Sequence, residues 1–194
     1  MSNSNIKIFP FIQVLSEADL LEVIELGEPH YSHCITIADP GEGIEVSGHF
    51  AAVLALEFDD INKKTDKPPE SHPRVPSMAD VKKIIRFYQA TKTEATGYTI
   101  NCYAGVHRST AVALMILYMM TGSEEEAARL LNTTKALPLP NRKLVQLFDK
   151  RMKTNLAEAT EVMWQNLDRF LSNELFIDGD DYLVELPVIE EEEA

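Results

Sequence analysis

Cysteine is scarce in this chain: 194 residues hold two, Cys34 and Cys102. Two thiols make no disulfide framework, and no Cys-x-x-Cys spacing occurs. Long apolar runs are also missing. The densest, Ala111 to Met120, is far too short to cross a bilayer, so no membrane span is expected. The first residues, Met-Ser-Asn-Ser-Asn-Ile-Lys, lack the basic start and apolar stretch of a secretory leader, which makes a cytosolic protein the default reading. Glycine (8) and proline (10) are not in excess, which excludes fibrous and low-complexity classes. From Glu174 onward there is no Lys or Arg at all.

That last absence explains most of the net charge of −13. Nine of the 31 acidic residues lie after Asn173, which leaves 22 against 18 basic residues in the rest of the chain. The body is only mildly acidic. This balance argues against nonspecific binding to nucleic acid or anionic membrane, while leaving room for a local positive pocket. The expected organisation is one domain over residues 1–173 and an acidic tail over 174–194, solvated and partly disordered. A fold-back of that tail onto a basic pocket is a second reading of it.

The body is 45% hydrophobic by whole-chain composition and reads as strands alternating with helices. Strands are predicted over Lys7–Val14, Ser32–Ile37, Ala51–Phe58 and Tyr98–Cys102. Ser16 caps a predicted helix to about Leu26 that Gly27 and Pro29 end, and Ser77 caps one to about Thr93. Another helix runs from about Ser109 to Met120, and Ser123 with Glu126 forms a capping-box pattern for the next. After the break Leu137-Pro138-Leu139-Pro140, two further helices are expected, near Asn141–Met152 and Leu156–Leu171. This order implies an α/β fold with a central, mainly parallel sheet flanked by helices.

The chemistry concentrates at Asn101-Cys-Tyr-Ala-Gly-Val-His-Arg-Ser-Thr110. A strand leads in, a tight loop follows, and an apolar helix leads out. Backbone N–H groups and the positive end of the helix dipole meet at such a mouth, which favours an anion there. A cysteine placed in it is favoured as thiolate, and Cys102 is the candidate nucleophile. Arg108 adds a planar fork able to hold two phosphate oxygens, and the loop residues Tyr103, Ala104, Gly105, Val106 and His107 line the same anion. Gly105 is read as letting the loop turn sharply without a Cβ in the anion's space, and Ser109 as placing a hydroxyl near the sulfur. No metal or other cofactor is needed, since the arginine and the amides carry the electrostatics. His107 either projects from the rim or helps bind substrate. A general acid is required for the leaving group. Asp60, and next to it Asp59, stand at the end of a predicted strand and the head of a long Pro-rich loop, with Asp60 preferred and Asp66 a weaker third.

Cys102-x5-Arg108 with Gly105 and Ser109 resembles the signature of the protein tyrosine phosphatase superfamily. The small size is similar to its dual-specificity branch and to compact bacterial members, and Phe58-Asp59-Asp60-Ile61 resembles the acid-bearing segment of the latter. The resemblance covers roughly residues 30–150. It implies a dual-specificity-like fold and hydrolysis of phosphate monoesters through a phosphocysteine. The substrate class it implies is a phosphoprotein (Tyr or Ser/Thr) or a small phosphorylated molecule. The family's usual His before the nucleophile is Asn101 here. Lys63, Lys64, Lys67 and Arg74 in the long loop, with Lys135 and Arg142 beside the Pro-rich break, suggest a basic rim suited to an inositol polyphosphate or an acidic phosphopeptide. The alternative is a catalytically weak module that binds phospho-ligands. Peroxide sensitivity is expected of an exposed thiolate, with Cys34 a resolving partner only if within bonding distance.

Overall fold

The computed structural model describes residues 11–27, 31–61, 72–135, 138–162 and 164–165. Four strands, β1 (Phe11–Leu15), β2 (His33–Ala38), β3 (Ala52–Glu57) and β4 (Gly97–Cys102), form one sheet in the order β1-β4-β2-β3. Every pairing is parallel. Helices α1 (Glu17–Glu25), α2 (Met78–Thr91), α3 (Arg108–Thr121), α4 (Glu124–Thr134) and α5 (Arg142–Met152) flank it. A further helical stretch occupies 156–162 and 164–165. The α/β class with a parallel sheet is as the sequence implies.

Strand alternation divides the core in two. Ile35 pairs with Leu54 and Ile100, and Ile37 with Leu56 and Cys102, so these side chains share one face. They pack into the main core with Val81 and Ile84 of α2, the α3 residues, and Leu144 and Phe148 of α5. Cys34 pairs with Val53 and Thr99 and points the other way, into a small cluster with Leu20 of α1, Val46 and Phe50. The central strands β2 and β4 are buried along their whole length, as parallel strands covered on both faces must be. Helix α3 is buried from Arg108 to Leu117, which its near-continuous apolar sequence dictates.

Local capping follows the side chains. Ser16 accepts from the Asp19 N–H at 3.1 Å while Asp19 returns a bond to the Ser16 N–H, closing a capping box on α1. Ser77 and Asp80 form the same box on α2. At α4 the predicted box is half made. Ser123 caps the Glu126 N–H at 3.3 Å, but the Glu126 carboxylate turns outward to Arg129, at 2.8 and 2.6 Å. An exposed guanidinium three residues on competes successfully for that carboxylate. Asp149 builds the corner after α5. Its carboxylate accepts from the Thr154 hydroxyl at 2.6 Å and from the N–H groups of Leu156 and Ala157 at 2.9 and 3.1 Å, starting the last helix.

The expected strand before Phe11, the residues at Pro29, the loop lysines 63, 64 and 67 with Asp66, the helix beyond residue 165 and the acidic tail lie outside the described residues.

Asp80 is fully buried and accepts from Arg74 Nη2 at 2.7 Å, the Ser77 N–H at 2.9 Å and the Ser77 hydroxyl at 2.7 Å. Replacing Asp80 with Ala leaves three donors without their acceptor and is expected to cost about 3 kcal/mol. A drop in the urea midpoint at constant slope checks this; an unchanged midpoint contradicts it.

Candidate active site

The loop 102–108 joins the C-terminal end of β4 to the N-terminus of α3, where the unpaired N–H groups of a helix start are found. Cys102 sits on the floor, 2% exposed, with Sγ 3.2 Å from the Ser109 hydroxyl. Ser109 is fully buried, the second residue of α3. The sequence expectation of an exposed thiol is therefore corrected, because the sulfur lies under the loop rather than on its rim. The second thiol is far removed in kind. Cys34 lies three rungs back along the neighbouring strand, about 10 Å away along the strands, and on the opposite face of the sheet. Both cysteines are free thiols, and this placement removes Cys34 as a resolving partner. Burial pushes the Cys34 thiol up to about 12, so it stays protonated and inert.

Arg108 is nearly buried. Its Nη1 donates to Asp39 Oδ1 at 2.6 Å and to the Phe58 carbonyl at 2.8 Å. Its Nε is buried and has no hydrogen-bond partner. One edge of the guanidinium is thus fixed to the protein, and the donor on the next edge is left over. Asp39 was not singled out in the sequence, where Asp39-Pro-Gly41 reads only as the turn closing β2. Its position at the C-terminal end of a parallel strand, where open α/β sheets gather their ligands, is the signal that marks it.

Gly105 has φ +67, and a Cβ there would come within 2.7 Å of the Leu15 carbonyl carbon and the Ser16 nitrogen. The glycine is needed because the loop presses against the β1–α1 junction. Its left-handed φ makes the sharp turn that the sequence reading assigned to it. Its N–H turns back to the Cys102 carbonyl at 3.2 Å, so this amide is committed to the turn. Further bonds brace the loop from outside: Glu17 N–H to the Tyr103 carbonyl at 3.2 Å, Leu139 N–H to the Val106 carbonyl at 3.2 Å, and Asn141 N–H to the His107 carbonyl at 3.0 Å. The Thr110 hydroxyl also donates to the Val106 carbonyl. Tyr103 is largely exposed and Ala104 is exposed at the outer turn.

The two aspartates part company. Asp59 is buried, donates its N–H to the Arg74 carbonyl at 2.9 Å and accepts the Arg74 N–H on Oδ2 at 2.6 Å. It staples the two ends of the Pro-rich loop together. Asp60 faces the phosphate-loop rim. Its Oδ2 is 2.7 Å from His107 Nδ1, and its Oδ1 accepts from Asn141 Nδ2 at 2.9 Å. His107 therefore contacts Asp60 and is half exposed. Asn101 is buried on the face opposite Cys102, in register with Thr36, and its Oδ1 has no partner. Arg142 stands beside the rim but pairs with Glu161 at 3.1 Å. Hydrogen bonds from Ser16 hold the Asp19 carboxyl below its usual value, with nearby Lys135 a smaller contribution, and Arg74 is engaged by Asp80. The basic rim is thus not assembled from these described cations, and Lys63 and Lys64 lie outside the described residues.

No family model matches the chain, and no curated protein matches it by sequence. Solved structures do. The structure of DUSP15 is 16% identical with a TM-score of 0.55, covering 82% of this chain and 94% of that one. Human DUSP28 is 14% identical with a TM-score of 0.52, covering 81% and 96%. A human tyrosine phosphatase-like serine/threonine/tyrosine-interacting protein is 15% identical with a TM-score of 0.51, covering 71% and 85%. The fold is that of the dual-specificity phosphatases, as the resemblance implied. Because one of these neighbours is itself described as phosphatase-like, the fold is shared beyond proteins named as phosphatases.

Gly105→Ala combines a left-handed φ with a backbone clash. It is expected to lower stability by about 2 kcal/mol or more and to distort the loop. Thermal unfolding checks the first effect and the affinity for inorganic phosphate or tungstate the second; wild-type values for both would refute the packing argument.

Proposed function

We propose that the protein hydrolyses phosphate monoesters through a phosphocysteine intermediate. The observation that carries this reading is the arrangement around Cys102. The Ser109 hydroxyl stands 3.2 Å from Sγ, and Arg108 is anchored by one nitrogen with its buried Nε left over, at the mouth of a helix N-terminus. The donor set suits a tetrahedral dianion.

In the first step the Cys102 thiolate attacks phosphorus. The S–P bond forms, the bond from phosphorus to the ester oxygen breaks, and that oxygen takes the proton of Asp60. In the second step water attacks phosphorus, the S–P bond breaks, and Asp60 takes the proton released. The Ser109 hydroxyl donates to the sulfur as it regains its charge. Asp60 is assigned the proton because it stands on the rim, held by His107 and Asn141. Asp59 is assigned to loop closure because its carboxylate is spent on Arg74. Asp39 is a positioning residue for Arg108.

Phosphate release is the test. Cys102→Ser is expected to abolish it. Asp60→Asn should lower kcat on phenyl phosphate about 100-fold or more, and far less on 4-nitrophenyl phosphate, whose leaving group needs no proton. Asp59→Asn should lower thermal stability with kcat retained. Wild-type protein that binds phosphate esters without releasing phosphate would replace this reading with that of a phospho-ligand-binding module.

Asp39→Asn keeps the shape and removes the charge that holds Nη1. The expectation is a KM raised about tenfold on aryl phosphates with the pH profile unchanged, an effect of about 1.4 kcal/mol. An unchanged KM would remove Asp39 from the site.

A further inference from the structure

Helices α2 and α5 touch each other and pack into the same main core, so they lie side by side on one face of the sheet. Their outer surfaces are basic. α2 exposes Lys82, Lys83 and Arg86, and α5 with its cap exposes Lys150, Arg151 and Lys153. We propose that the acidic residues 174–194 of this same chain dock across this face as an electrostatic clasp. The proposal is independent of the hydrolytic reading above.

The charge imbalance is local. The two helices and Lys153 hold eight of the 18 basic residues of the chain and two acidic ones, Asp80 and Asp149. Neither acid answers the cations. Asp80 is fully buried and is taken by Arg74 and Ser77. Asp149 gives its carboxylate to Thr154, Leu156 and Ala157. On the last helix, Glu161 is matched to Arg142. None of the six exposed cations makes an ion pair with a described residue. Like charges gathered on one face repel one another, and a segment of opposite sign relieves that repulsion.

Residues 174–194 supply the opposite sign, with nine acids and no Lys or Arg. Most of those acids fall in two groups. Asp178, Asp180 and Asp181 form one, Glu190 to Glu193 the other, and an apolar stretch interrupted by Glu185 separates them. The helix pair likewise presents two basic groups, one on each helix. Packed helix axes lie about 8–10 Å apart. The nine residue steps from Asp181 to Glu190 span up to about 30 Å. One acidic group can therefore reach each helix.

The reach from the last helix is sufficient. Glu161 pairs with Arg142 at the start of α5, so this helix runs back along α5 toward its N-terminal end. The nine residue steps from Gln165 to Glu174 span up to about 30 Å, while α5, with 11 residues, is about 16 Å long. Both basic helices begin at the end of the sheet that carries the phosphate loop. Arg74, shortly before Ser77, is bonded to Asp59, and Asn141 is bonded to Asp60. Arg86 and Lys150 each stand nine residues past their helix cap, about 14 Å down the axis. The clasp thus sits below the loop and leaves its mouth open. Each exposed ion pair contributes little. The covalent tether raises the effective concentration, so several weak pairs act together, and salt screens them.

The test places a nitroxide on Ala194→Cys in the full chain carrying Cys102→Ser, and reads amide signals by NMR. Cys34 is fully buried and stays unlabelled. At about 0.01 M salt, where the screening length is about 30 Å, the label is expected to cause its strongest signal loss at residues 82–86 and 150–153. At about 1 M salt, where that length is about 3 Å, the signals should return. Strongest loss at 102–108 would put the segment in the phosphate loop and overturn the proposal. So would the absence of any salt-dependent loss. Loss of the same size on isotope-labelled chains without nitroxide, mixed with nitroxide-bearing chains, would make the occupant a second copy and overturn it too. Lys150→Glu with Arg151→Glu should restore the signals of 150–153, with the remaining spectrum unchanged because both side chains are exposed. Adding Glu190→Lys, Glu191→Lys, Glu192→Lys and Glu193→Lys to that variant should bring the loss back. A rescue by swapped charges cannot come from a damaged helix, and its failure in a folded variant would refute the clasp.

Discussion

A buried guanidinium holds the C-terminal edge of this sheet together. Arg108 starts α3 after the loop from β4, its Nη1 reaches Asp39 just past β2, and the same nitrogen reaches the carbonyl of Phe58 just past β3. Three neighbouring strand ends are thus tied by one cation. Burying a charge is expensive unless it is paired and hydrogen-bonded, and here the pairing is incomplete. Asp39 neutralises the group, but Nε is buried with no partner. A residue in that condition destabilises the protein by itself and stabilises whatever anion completes it. The same arrangement that costs folding energy leaves a buried donor at the end of the loop.

The loop's shape is then imposed from outside. Within 102–108 the turn bond is Gly105 to Cys102; Glu17, Leu139 and Asn141 donate N–H groups from outside, and α3 adds the Ala111 N–H and the Thr110 hydroxyl. The Leu15–Ser16 backbone also presses on Gly105. The capping box that starts α1 therefore has a second consequence. It fixes Ser16 and Glu17, and these in turn limit where the loop can go. Asn141 does the same from the other side, with its carboxamide oxygen capping α5 at Leu144, its N–H on His107 and its side-chain nitrogen on Asp60. Asp60, the loop and α5 form one connected unit, so the carboxylate is held in place at the rim.

Local chemistry was legible in the sequence, and convergence between distant segments was not. Ser16 and Ser77 announce their helices because a cap is decided within four residues. The strand-loop-helix around Cys102 is readable for the same reason. Asp39 is different. Its partner is 69 residues away, and in the sequence it is one more turn residue before Pro40. Asp59 and Asp60 are chemically identical neighbours, and only the closure of the loop at Arg74 assigns one inward and the other to the rim. Glu126 had the right spacing for a box and lost it to Arg129.

Sheet alternation settles what the two cysteines and Asn101 can do. Side chains one residue apart on a strand face opposite layers, so Asn101 lies on the α1 side while Cys102 lies on the α3 side. Asn101 therefore acts on the sulfur only through the backbone between them. Its unpartnered Oδ1 lies on the face opposite Cys102, in register with Thr36. The loop that follows is braced by the N–H groups of Glu17, Leu139 and Asn141. The alternation that removes Cys34 from reach of Cys102 likewise separates the redox fates of the two thiols. Cys34 cannot resolve an oxidised Cys102, because it is held protonated in a different layer.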